Sequence, residues 1–131
     1  MAWPEHYPKS CPPYDSEKAS GDVFRYVNNP PDPKDLTSHW FLYKNLRETT
    51  KKAGLKCQLC GISVFRSLAD LKDAGDLCPN IKKNNKVAAE ASLSADMGKI
   101  KHTPSLTLLK HHTWWIPVAI TKPHKCFSVV A

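Results

Sequence analysis

The stretch GDVFRYVNNPPDP, residues 21 to 33, decides the fold. Gly21 opens it, and DVFRYV alternates in the manner of a β-strand. Val23, Arg25 and Val27 share one face, and Phe24 and Tyr26 share the other. The prolines and asparagines of NNPPDP then stop the strand. One residue is out of place. Arg25 lies between two valines on a face that reads as buried, and an inward arginine needs an anion or a carboxylate beside it. Its planar fork suits phosphate and carboxylate alike.

Working outward, residues 1 to 20 read as an extended arm. Pro4, Pro8, Pro12 and Pro13 favour polyproline geometry, and Trp3, Tyr7 and Tyr14 are available to pin the arm to the body. Residues 21 to 131 read as one domain, which suits the total of 131 residues. After NNPPDP, DLTSHWFLYKNLRETTKKAG reads as a helix. Leu36, Trp40, Tyr43 and Leu46 fall at helical spacing, with Asp35 as cap and Gly54 as terminator. GISVF, 61 to 65, reads as a short strand. Ser67 with Asp70 makes a capping pattern for a helix SLADLKDA that Gly75 stops. PNIKKNNK, 79 to 86, is a polar loop. VAAEASL, 87 to 93, places Val87, Ala89, Ala91 and Leu93 on one strand face. The last third carries three apolar runs, Leu106 to Leu109, Trp114 to Ile120 and Cys126 to Val130, punctuated by prolines. This order predicts an α+β domain, with two helices packed on one mostly antiparallel sheet.

The net charge is +7, and its distribution is uneven: residues 97 to 131 hold five lysines, four histidines and no carboxylate. A field of one sign attracts phosphates, nucleic acid or an acidic protein partner. The start of the chain shows no apolar signal region, no run approaches a membrane span, and five cysteines are awkward for a disulfide framework. The expectation is a cytoplasmic protein without membrane contact.

Three constellations carry chemistry. In KHHTWWIP, 110 to 117, alternation sends His111 and His112 to opposite faces. His112 shares its face with Trp114 and Ile116, and is expected to be the less exposed of the two and to border any pocket, as the residue that would act on a proton. His111, Trp114 and Trp115 are candidate ligand contacts, the indoles as stacking faces. Arg25 is the second constellation. The third is CQLCG, where Cys57 and Cys60 have zinc-knuckle spacing; Cys78 is a third ligand candidate, and His102, His124 or Cys126 could complete a set. Two reduced cysteines ahead of a buried strand is the plainer alternative. P-loop, GxGxxG, GxSxG and HExxH patterns are absent from the sequence.

GDVFRYV followed by NPP and a serine–histidine helix, then GISVF with a helix behind it, then GKIKHTP and HHTWW, resembles a family of small uncharacterised bacterial proteins. That resemblance covers most of residues 21 to 131 and implies one intact domain. A looser likeness is to ADP-ribosyltransferase folds, which carry an arginine or histidine on a first strand, a serine- or tyrosine-bearing strand next, and a glutamate on a late strand. Arg25 and Ser63 match the first two places, which implies NAD as a ligand. Glu90 is the only late glutamate, and no carboxylate follows Asp96, so His112 would take that part. The two functional expectations are a site for a phosphate-bearing ligand, either a nucleotide such as NAD or nucleic acid, and a non-catalytic module whose basic C-terminal third docks on an acidic protein or nucleic acid.

Overall fold

The computed structural model describes residues 1–130. It is an α+β fold with two antiparallel sheets rather than one. Strand β2 (Gly21–Val27) pairs along its whole length with β4 (Val87–Leu93), and β4 pairs with β7 (Ser128–Val129). The second sheet runs β1 (Glu17–Lys18), β5 (Lys99–His102), β6 (His112–Trp115), β3 (Ile62–Val64). The sheets join at one point, where Phe24 and Phe65 exchange backbone hydrogen bonds of 2.7 and 3.0 Å.

The alternation read from DVFRYV and VAAEASL is realised. Val23, Val27, Ala89, Ala91 and Leu93 turn inward and share a core with Ile62, Val64, Ile100, Trp114 and Phe127. The opposite face of β2 carries Phe24 and Tyr26 against α4 (Leu68–Leu77), which supplies Leu71 and Ala74. Ser67 caps α4 by accepting the amide of Asp70. The helix does not stop at Gly75; it runs through to Leu77, and Gly75 instead makes room for the Tyr26 ring, which a Cβ there would crowd.

The expected helix over 35 to 54 is broken. A 3-10 turn, Pro33–Leu36, is followed by α1 (His39–Leu42), α2 (Lys44–Thr49) and α3 (Ala53–Cys60). Four α-helices therefore stand where two were expected. The breaks fall at Ser38, Tyr43 and Thr50, all with extended backbone. Arg47 stabilises the break at Tyr43 by donating to the carbonyls of Trp40 and Phe41, which a continuous helix would have satisfied internally. Gly54 lies inside α3 rather than ending a helix. The apolar run Leu106 to Leu109 forms no strand; it is the loop between β5 and β6, and Leu106 is fully exposed.

Residues 1 to 20 lie against the body. Ser16 and Ala19 are buried, β1 joins the sheet edge, and Lys101 pairs with Asp15 at 2.9 Å. Trp3 and Tyr7 pack beside Trp115, whereas Tyr14 faces solvent. A disulfide, Cys11–Cys57, ties this segment to α3. No helix among the described residues is long and apolar enough to cross a membrane.

Candidate functional site

Arg25 organises the site. Its strand position points it into the junction between the sheets, where its Nε donates to the carbonyl of Asp35 (2.9 Å) and Nη1 to the carbonyl of Ser63 (2.7 Å). The expected carboxylate side-chain partner is thus replaced by two backbone oxygens. Asp35 is buried, but its carboxylate serves the turn: it accepts from the Asn28 amide and side chain and from the Asp32 amide, with Lys86 Nζ at 3.6 Å. Burial pushes the Arg25 guanidinium down to about 10, and the nearby charge of Asp35 opposes that shift. The group stays a cation at neutral pH. A guanidinium has five N–H donors, and the two carbonyls do not use all of them.

Arg25 lies in the wall of a cavity of about 450 Å³. Lys34 enters from the 3-10 turn and His39 from α1, and Lys83 and Lys86 come from the loop after α4. Asn84 adopts a left-handed backbone in that loop (φ 65°), a conformation asparagine tolerates. Tyr43, Phe65 and Leu71 give the cavity aromatic and apolar surface. No aspartate or glutamate lines it. Burial, and then the charge of Arg25, lower the His39 pKa.

Ser63 also lines the cavity, and its Oγ lies 2.7 Å from His111 Nε2. His111 Nδ1 lies 3.1 Å from the carbonyl of Thr103 and 2.9 Å from its hydroxyl. Phe65 meets the imidazole edge-on. The pKa of His111 is lowered, chiefly by burial and further by His39, His112 and Arg25, against the raising effect of the Thr103 carbonyl.

Several sequence expectations are corrected here. The two histidines do diverge, but His111, not His112, adjoins the cavity. His112 sits beside His102, 4.9 Å between ring centres, with Nδ1 against the Lys110 carbonyl. Ile116 misled the choice of face: β6 is covered on both sides, so Thr113, Trp114 and Trp115 are all buried. Trp114 is 0% exposed and donates to the Met97 carbonyl; Trp115 is 1% exposed and donates to the Cys57 carbonyl. Neither indole can stack on a ligand. Cys57 is consumed by its disulfide, so the Cys57–Cys60–Cys78 zinc set does not exist. No group of three or more metal-ligating side chains occurs among the described residues. Cys60 is a buried thiol pushed up to about 11 by burial. Glu90 is exposed and lines no part of the cavity. His39, Lys34, Lys83 and Lys86 were not singled out from the sequence; the polar loop PNIKKNNK carried the signal for two of them.

No family model, curated protein or solved structure matches this chain.

Proposed function

We propose that the cavity binds a phosphate-bearing ligand, with a nucleotide such as NAD as the class to test first. One observation carries this reading. Four cationic side chains from three segments, Arg25, Lys34, Lys83 and Lys86, line one cavity whose own lining holds no carboxylate; the buried Asp35 behind it approaches only Lys86, at 3.6 Å, and the Arg25 charge. A buried arginine with donors left over after its two carbonyl bonds favours an anion. The volume suits a small molecule, since such sites run to roughly 300–1,000 Å³. Tyr43 and Phe65 offer ring surface of the kind a base or nicotinamide would use. The adjacency of Arg25 and Ser63 agrees with the ADP-ribosyltransferase likeness, although the late glutamate of that pattern has no counterpart in the cavity.

The C-terminal lysines do not supply these charges. Lys99, Lys101, Lys110, Lys122 and Lys125 lie outside the cavity, and Lys101 is paired with Asp15. Docking of nucleic acid or an acidic protein through that third is therefore a separate surface property. The disulfide favours an oxidising compartment over the cytoplasm, where thiols are kept reduced.

A calorimetric titration with NAD, ADP and inorganic phosphate, beside a short single-stranded oligonucleotide, tests the proposal at two salt concentrations. Saturable binding of a nucleotide with a shallow salt dependence is expected. Binding of the oligonucleotide alone, falling steeply with salt, would transfer the function to the basic surface.

A further inference from the structure

The hydrogen bonds around His111 favour one tautomer. The Thr103 carbonyl can only accept, so its 3.1 Å contact with Nδ1 is a hydrogen bond when Nδ1 carries the proton, which the Thr103 hydroxyl can also accept. In the neutral ring Nε2 is then bare, and the Ser63 bond runs from Oγ–H to Nε2. Thr103 Oγ1 lies 2.9 Å from Nδ1 and 2.7 Å from Thr113 Oγ1, which holds the loop residue Thr103 against β6. Burial of His111 disfavours the imidazolium and keeps the ring in the base form. A serine in a cavity wall thus aims its proton at a base that a third group orients, which is the arrangement of an activated nucleophile.

We propose that Ser63 is a catalytic nucleophile with His111 as its general base, and that the substrate is an acyl ester or thioester carrying a phosphate-bearing handle. The handle rests on the reading of the cavity given above; the dyad does not. The choice of carbon over phosphorus follows from geometry. Displacement at phosphorus is in line, so the leaving group departs on the side away from Ser63 and out of reach of His111. At a carbonyl carbon the leaving group stays on the near side, and the same imidazolium can protonate it.

The chemistry balances with water as the only co-reactant. Ser63 Oγ attacks the carbonyl carbon and its proton passes to His111 Nε2. The C–O or C–S bond of the tetrahedral intermediate breaks, and the leaving oxygen or sulfur takes that proton. Water then attacks the acyl-serine, delivers a proton to His111, and Ser63 recovers it as the acid departs. Arg25 Nη1 donates to the Ser63 carbonyl and so holds the backbone of the nucleophile beside the cavity's cations.

The test uses a small uncharged fluorophosphonate on the intact chain, which needs an activated serine and no handle. The expected result is one covalent adduct per chain, mapped to Ser63, absent in Ser63→Ala and slowed at least 100-fold in His111→Gln. The labelling rate should rise with pH through a midpoint below that of a free imidazole, a position set by burial and by the groups facing His111, namely His39, His112 and Arg25. Hydrolysis of acetyl-coenzyme A is then compared with that of p-nitrophenyl acetate; the phosphate-bearing thioester should be favoured at least tenfold in kcat/KM relative to the two compounds' reactivity with free hydroxide. An unlabelled Ser63 in folded wild-type protein overturns the nucleophile, even if nucleotides bind. A labelled Ser63 with no preference for the phosphate-bearing substrate overturns the substrate class and leaves the dyad standing. If His111→Gln fails to fold, His111→Asn and the wild-type pH profile carry the same comparison.

Discussion

Removing the Cys11–Cys57 disulfide should cost the fold a large share of its stability. The two cysteines are 46 residues apart in sequence, and both are buried against Trp115. Releasing a closed loop of that length returns chain entropy to the unfolded state worth about 4 kcal/mol at room temperature. For a chain of 131 residues, unfolding entropy of roughly 2 cal/mol/K per residue converts this to a fall in Tm of about 15 °C. The assay is thermal unfolding by circular dichroism of the wild type, the Cys11→Ser/Cys57→Ser double variant and reduced protein. The same samples report connectivity, because denatured, unreduced protein should show three titratable thiols, from Cys60, Cys78 and Cys126. Five free thiols, or a double variant melting within about 3 °C of the wild type, would refute the reasoning.

Arg25→Met should weaken binding of the best nucleotide by about 1.5–3 kcal/mol, roughly 10- to 150-fold in Kd, the range for hydrogen bonds to a charged group; unchanged affinity in calorimetry would remove Arg25 from the site. Acidification should destabilise the fold. His6, His39, His111 and His112 all have folded pKa values below the unfolded value, so the unfolded chain binds more protons, and stability falls as pH drops below about 6.5 until the folded values are passed. Melting curves from about pH 7.5 to about pH 5 should show this decline, and His111→Gln should reduce it. Gly98→Ala should cost at least about 2 kcal/mol in denaturant unfolding, because Gly98 has φ 111° and an added Cβ would collide with the Trp115 carbonyl.

The strands were legible where a single face is buried. DVFRYV and VAAEASL alternate because one side meets the core, and Arg25 stood out for breaking that alternation. KHHTWWIP was half legible: the period of two separated the histidines correctly, but both faces of β6 are covered, so polarity could not say which side was inner. Thr113 is buried because its hydroxyl meets Thr103, a partner ten residues away that no local pattern announces. The helical region failed for a related reason. Spacing of Leu36, Trp40, Tyr43 and Leu46 fits a helix, yet the break at Tyr43 frees carbonyls that Arg47 captures after the chain has turned. The disulfide was hidden by an odd cysteine count, since three thiols remain free. The cavity was the least legible part, because its cations come from segments that meet only in the folded chain.

The order in which the strands pair has a consequence for synthesis. Gly21 is partnered with Leu93, Glu17 with Ile100 and Ile62 with Trp114. Among the described residues only β5 and β6 form a local hairpin, Lys99 facing Trp115. A nascent chain emerging from the ribosome therefore holds β1, β2 and β3 without mates until its second half has been translated. During that interval Val23, Val27, Ile62 and Val64 have no core to enter. Cys11 and Cys57 are both available from the outset, so covalent closure of the first half can precede the sheets it will later support. Productive folding waits for the later strands, and a chaperone that shelters the earlier ones until Trp114 and Trp115 appear should raise its yield.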